Sequence, residues 1–366
     1  MELTFQHMRG PNTKQSSMMM LMSPESRVPK DHPLRGIKKI ADLALAKLSG
    51  TFDGMYSQVG RPSIPPERLL KATLLMALYT IRSERQFCEQ LDYNLLFRWF
   101  LDMNMEEASF VPTMFSHNRG RLIAHNVAGE FLRAVAAHAQ TADLMSNEHF
   151  TVDGTLIEAA ASLKSFKKKG DDDSTPPDDP GNPTVDFHGE KRSNETHESA
   201  TDPDAKLARK SNGTTAKLSY SAHALMENRN GLLVDFQLDV ADGRAERRVA
   251  LEMIDENAKG TRRITLGGDR GYDTRDFVEQ CRQRNVTPHV ARKKHSAIDG
   301  RTSGTEGYAV SLRIRKRVEE VFGWMKTVGN FRKTRYFGLG DNQLAATMIA
   351  TAYNLVRMAR LLPACV

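Results

Sequence analysis

The chain has 366 residues, 40% of them hydrophobic and 27% charged, with a net charge of +7 and a pI near 9.2. This is an ordinary globular composition with room for about two domains, and its basic balance suits a polyanionic partner, nucleic acid before a membrane surface. The three cysteines, Cys88, Cys281 and Cys365, are far apart and in no C-x-x-C spacing, which argues against a disulfide framework or a zinc ribbon and for a reducing cytoplasm.

Residues 1–33 are polar, Met-rich and aperiodic, which predicts a mobile segment, and they lack the charged-then-apolar order of a signal peptide. Residues 34–147 read as a helical domain. PPERLLKATLLMALYTI opens on two prolines and repeats apolar residues at Leu70, Leu74, Ala77 and Leu78. It carries a lysine and falls short of the ~20 residues that span a bilayer, so no membrane partner is expected. Ser83 reads as the N-cap of ERQFCEQL. TMFSHNRGRLIAHN and AGEFLRAVAAHAQ follow as further helices.

The texture changes at His149. FTVDGTLIEA is a strand candidate, and residues 148–362 read as a second domain. A charged, Pro- and Gly-rich stretch at about 163–215 has almost no apolar residues, which predicts a disordered insertion. AKLSYSAHALME and LLVDFQLDVAD then form a hairpin through the turn NRNG. Helix ERRVALEMIDENA, strand RRITLGGDRGYD, helix TRDFVEQCRQRN and strand TPHVAR alternate after it. Two helical stretches, SLRIRKRVEEVFGWMKTV and NQLAATMIATAYNLVRMARLL, close the chain. Three antiparallel strands followed by alternating helix and strand predict a mixed five-stranded sheet flanked by helices, in ribonuclease-H-like order, behind the helical N-terminal domain.

Three acids stand where such a sheet would converge them. Asp153 lies at the end of the first strand, Asp269 at the end of RRITLGGD, and Glu319 in the helix RIRKRVEEVFGWMK. Carboxylates so placed can hold two hard divalent cations about 3.5–4 Å apart, each gripping phosphodiester oxygens. Mg²⁺ is the expected ion, with Mn²⁺ as a substitute. Arg315, Glu319 and Lys326 are four and then seven residues apart, which puts them on one helix face. Arg332, Lys333 and Arg335 follow in FRKTR and suit backbone phosphates. Each acid also has a plainer reading. Asp153 and Asp269 could be turn residues, and Arg315 could form an ion pair with Glu319 on a solvated face. Asp273, Glu158 and Glu320 are neighbouring rivals, and Trp324 fits a core position better than a base-stacking one.

VDGTL also matches part of the nucleophile loop of haloacid-dehalogenase-type phosphatases, D-x-D-G-T. The nucleophile position there is Thr151, which cannot form an aspartyl-phosphate.

Across residues 35–362 the chain resembles DDE-type bacterial insertion-sequence transposases, closest to the insertion-sequence-five family. TVDGTLIEA matches the first-acid segment, LGGDRGYDT the second and RKRVEEVFGWMKTVGNFRKTR the third. The broader family's Tyr–Arg–Glu–Lys signature fits Arg315, Glu319 and Lys326, which favours Glu319 over Glu320. Its tyrosine place is Leu312, with Tyr308 the nearest tyrosine. The resemblance implies a nucleoid-associated enzyme that cuts DNA at the terminal inverted repeats of its element and joins the 3′-OH ends to target DNA. Asp153 would serve both metals, Asp269 and Glu319 one each, while Arg315 and Lys326 steady the scissile strand. The N-terminal domain would hold DNA or a second subunit, and synapsing two ends implies a homodimer or larger assembly. A nuclease that cuts without joining and an inactive DNA-binding relic are the alternatives on the same fold.

Overall fold

The computed structural model describes residues 23–57, 63–170, 186–187, 190–211, 213–243, 245–257 and 262–362. Eight helices come first: α1 Pro24–Arg27, α2 Leu34–Ala46, α3 Ser49–Met55, α4 Pro66–Leu78, α5 Glu84–Tyr93, α6 Leu95–Phe100, α7 Thr113–Ala124 and α8 Val127–Thr141. Their signals are local. Pro65 and Pro66 open α4, and Ser83 caps α5 by accepting the Gln86 N–H at 3.0 Å, both as expected. Helix α2 buries Leu34, Ile37, Ile40, Ala41, Ala44 and Leu45, one apolar stripe at helical spacing. The predicted mobile segment 1–33 is corrected at its end: α1 forms, and Val28 is buried in the core. Residues 1–22 lie outside the described residues.

The second half carries β1 His149–Glu158, β2 Phe166–Lys168, β3 Asp186–Phe187, β4 Glu190–Lys191, β5 His197–Ser199, β6 Lys206–Ala208, β7 Lys217–Glu227 and β8 Leu233–Val240. Helix α9 Ala245–Asn257, β9 Ile264–Gly268, α10 Arg275–Gln283 and β10 Val286–Val290 alternate next. Then come α11 Gly300–Ser303, α12 Glu306–Ile314, α13 Arg317–Thr327 and α14 Leu339–Leu361. The main sheet runs β10-β9-β1-β7-β6, with β8 on the same edge of β7 as β6. Strands β1, β7 and β8 are antiparallel, while β1, β9 and β10 are parallel. Parallel neighbours need a crossover, and α10 supplies the one between β9 and β10. The fold is therefore ribonuclease-H-like, as expected, but the sheet has six strands rather than five, because β6, from the stretch read as disordered, pairs with β7. Strand β7 is buried along nearly its whole length because α9 covers it on one side and neighbouring strands flank it. Helix α14 packs on β8 and also on α8, α4 and α2, so both halves share one continuous core. Among the described residues no helix is long and apolar enough to cross a membrane.

The predicted disordered insertion at about 163–215 is in part folded. Strands β2 and β5 pair with each other, and β6 joins the main sheet. Asp202 is fully buried, accepting from Tyr220 Oη at 2.7 Å and from the Gly338 N–H at 3.0 Å; Asp204 accepts the Leu339 N–H at 2.9 Å. These two acids pin the segment to the start of α14. Polar anchoring of this kind is invisible to hydropathy, which is why composition alone read the stretch as loose. Residues 171–185, its most Asp- and Pro-rich part, lie outside the described residues.

Candidate active site

The site is built by strand register. Thr151 of β1 faces Gly267 of β9 in the parallel pair, so two residues further on each chain Asp153 and Asp269 stand side by side. Adjacent strands lie about 4.8 Å apart. Gly267 and Gly268 make this approach tolerable: an added Cβ would meet Thr151 Oγ1 at 2.9 Å from Gly267, and Tyr272 and Val290 side-chain carbons at 3.1 Å from Gly268. Asp153 is in the middle of a ten-residue strand, at the point where β1 and β9 part, rather than at a strand end. Asp269 caps a short 3₁₀ turn, Arg270–Tyr272, with Oδ1 accepting the Gly271 N–H at 2.6 Å. Asp153 Oδ1 accepts the Gly154 N–H at 2.9 Å. Among the described residues neither carboxylate has another protein donor.

Burial pushes the Asp153 carboxyl up to about 6, the negative charges of Asp269 and Glu246 push the same way, and the Gly154 N–H and the Arg315 guanidinium pull it down. Glu246 lies close by: a Cβ on Gly154 would be 3.3 Å from its Oε1, and a Cβ on Gly271 3.5 Å from its Oε2. Glu246, in the first turn of α9, was not singled out from the sequence. Lys326 donates to Thr155 Oγ1 at 2.6 Å, on the same face of β1 as Asp153. Burial, then the like charges of Lys210 and Arg332, hold its pKa below the usual lysine value. Lys210 comes from the stretch read as a loose insertion, and it too was missed.

Glu319 occupies the exposed first turn of α13. The helix expected to be continuous is divided: α12 ends at Ile314, and Val318 N–H bonds back to Arg315 O and Glu319 N–H to Lys316 O in a tight turn. No Arg315–Glu319 ion pair is present among the described residues. Strand register brings Asp153 and Asp269 together, while Glu319 is exposed in the first turn of α13. No group of three or more His, Cys, Asp or Glu side chains that could hold a metal ion occurs among the described residues.

The rivals have other work. Asp273 accepts the Lys293 and Ala297 N–H groups at 2.7 and 3.0 Å and stabilises that loop. Glu320 pairs with Arg357 at 3.7 Å. Glu158 pairs with Lys217 at 2.7 Å and with Lys333 at 3.3 Å, which commits Lys333 to an ion pair. Arg332 and Arg335 are exposed, Arg335 lying 5.4 Å from the Tyr336 ring centre. Tyr308 is buried and donates to Val290 O at 2.8 Å, a structural role. Trp324 packs edge-on against Tyr353 at 5.7 Å. Thr151 is buried and donates to Asn228 Oδ1 at 2.7 Å, and its strand pairs antiparallel with β7, so the phosphatase reading has no support.

A transposase DDE-domain model matches residues 146–355, more than half of the chain, and a transposase domain model matches residues 22–121. Among curated proteins none matches. Of solved structures, a piggyBac transposase synaptic complex with hairpin DNA is 11% identical over 88% of this chain and 73% of that one, with a TM-score of 0.38. A pre-cleavage Mos1 transpososome is 12% identical over 84% and 81%, with a TM-score of 0.21. A Mos1 strand transfer complex is 13% identical over 85% and 82%, with a TM-score of 0.20. Likenesses this distant do not place individual residues. The match that spans most of both halves of the fold decides the family: this chain belongs to the DDE-type insertion-sequence transposases.

Proposed function

We propose that the enzyme cleaves DNA at the terminal inverted repeats of its element and joins the freed 3′-OH to target DNA, with Asp153, Asp269 and Glu319 as its acidic triad. The observation that carries this is the parallel register that sets Asp153 beside Asp269, with Arg315 and Lys326 flanking them. DDE transposases use divalent metal ions, and the donor set fits them: each aspartate has one oxygen tied to a backbone N–H and one with no protein donor, and carboxylate oxygens suit a hard cation. Two Mg²⁺ ions, or Mn²⁺, would supply charge neutralisation at the attacking and leaving oxygens. Glu319 is presented from α13, which Lys326 fastens to β1. The Arg315 charge favours the ionised form of Asp153. Lys326, Lys210 and Arg332 form a cationic group that can hold a backbone phosphate, with Arg335 exposed beyond. The catalytic half follows residue 148 and the helical half would grip DNA or a second copy of the chain, since two ends must be held together.

The test is strand transfer in vitro on DNA bearing the element's ends, with Mg²⁺ or EDTA. Joined products that require metal, Asp153, Asp269 and Glu319, but not Glu320, support the assignment. Undiminished joining by Glu319→Ala with loss in Glu320→Ala would move the third acid by one residue. Cutting without joining would indicate a nuclease, and binding without chemistry an inactive relic.

A further inference from the structure

Resting on the reading that this enzyme joins its DNA ends to a target, we propose that the loop after β10, with Arg292, Lys293 and Lys294 as its cations, is the seat of the target duplex at the joining step.

The loop owes its place to strand register. Strand β10 runs parallel to β9 with Val290 opposite Gly268, and the Ala291 N–H donates to Gly268 O at 3.1 Å. The chain therefore leaves β10 level with Asp269, one strand spacing of about 4.8 Å away. Bonds to its neighbours then fix the loop. Asp273, in the segment that follows Asp269, accepts the Lys293 N–H on Oδ2 at 2.7 Å and the Ala297 N–H on Oδ1 at 3.0 Å. Ser296 Oγ accepts the Ile298 N–H at 3.0 Å, and the Ile298 side chain is buried. Held in this way, the loop turns Arg292, Lys293, Lys294 and His295 outward as consecutive exposed side chains.

Among the described residues no Asp or Glu forms a salt bridge with Arg292, Lys293 or Lys294. Arg292 reaches the neutral Ser303 Oγ at 3.4 Å. Asp299, further along the loop, is already paired with Arg282 at 3.2 Å and Arg301 at 3.8 Å. An ordinary solvated surface intersperses charges of both signs, whereas this run has one sign and is held in a fixed loop, where its self-repulsion is offset when a polyanion covers it. Cations that meet phosphates position a duplex without reading its bases, which suits DNA that does not carry the element's ends. Sheet order selects the duplex. In the order β10-β9-β1 the loop stands on the Asp269 side of the aspartate pair, and Lys326, bonded to Thr155 of β1, stands on the Asp153 side. The Lys326 side takes the strand that is cut. Joining brings a second duplex to the same acids, and the loop offers it a separate cationic seat whose root lies inside a Debye length, ~8 Å at physiological salt, of Asp269.

The experiment compares the full chain with its triple variant Arg292→Ala, Lys293→Ala, Lys294→Ala in two measurements. The first is binding to a random-sequence duplex in EDTA as salt is varied, where the variant should lower the slope of log affinity against log salt by about 2–3. The second, with Mg²⁺, is joining of a pre-cut element end to a plasmid target, beside cleavage of an uncut end. Joining should fall at least tenfold further than cleavage, and it should recover as plasmid concentration is raised. The charge-keeping variant Lys293→Arg, Lys294→Arg should follow wild type in both measurements, and melting curves check that each variant is folded. If the triple variant is poorly folded, Lys294→Ala decides alone, by a slope lower by about 1 and a matching loss of joining. Wild-type slope and joining in the folded variant overturn the proposal, as does a lowered slope with undiminished joining. Cleavage and joining lost in equal measure would put the element's own DNA on the loop and overturn the target assignment. A wild-type chain that neither cuts nor joins fails the transposition reading itself; the salt slope then decides whether the loop holds DNA, an unchanged slope overturning that contact and a lowered one supporting it.

Discussion

Replacing Asp153 by Asn should stabilise the metal-free protein above neutral pH. The folded chain holds the Asp153 carboxyl near 6, against an ordinary value of 3.8, chiefly through burial and then through Asp269 and Glu246. A raised carboxyl favours folding below 3.8 relative to higher pH, and that advantage is lost as pH rises through about 6. At pH 8 the ionised group therefore opposes folding by up to ~3 kcal/mol, with solvent screening reducing the figure. Asn keeps the Oδ1 acceptor for the Gly154 N–H and removes the charge. In EDTA at pH 8 the Asn variant should melt several degrees above wild type, and the difference should vanish toward pH 4. Adding Mn²⁺ should reverse the order, because the cation rewards the carboxylate alone. Differential scanning calorimetry across pH, with and without metal, reads all three. A variant that melts below wild type in EDTA at pH 8 would refute the electrostatic account, since the charge would then be welcome without a cation.

Other expectations follow from individual contacts. Lys210→Ala and Lys326→Ala should each weaken DNA binding and lower the slope of log affinity against log salt by about 1, while Lys333→Ala, already paired with Glu158, should change it less; equal slopes in all three would dissolve the proposed phosphate cluster. Gly271→Ala places a Cβ 2.9 Å from Asp269 Oδ1, so cleavage should fall at least tenfold with the fold intact, and wild-type cleavage would show that Asp269 need not hold its present position. Asp202→Ala strips partners from Tyr220 Oη and the Gly338 N–H in a buried site, and should cost roughly 2–4 kcal/mol and open residues 192–211 to proteolysis; an unchanged melting temperature would show that the segment is not anchored there.

Much of the architecture is legible in the chain. The β-branched run at 149–158, the turn NRNG and the alternation of helix and strand from Ala245 to Val290 determine the elements and their order, because each rests on local periodicity and turn chemistry. The candidate acids Asp153 and Asp269 are legible too, since the glycines beside them signal close backbone approach. Glu246 was not, because an acid in the first turn of a helix is commonplace and its sequence neighbours say nothing of β1. Nor was Lys210, carried by a stretch whose burial depends on Asp202 and Asp204 reaching α14. Spacing also grouped Arg315 with Glu319 and Lys326 on one uninterrupted helix, whereas a tight turn at 315–319 sets Arg315 off from α13, which still carries an exposed Glu319 and the Lys326 that bonds Thr155 of β1. Local sequence fixes which elements form. Register between distant strands, and the side chains that a neighbouring helix lowers onto them, are set only when the whole core packs, because those contacts join residues about a hundred positions apart.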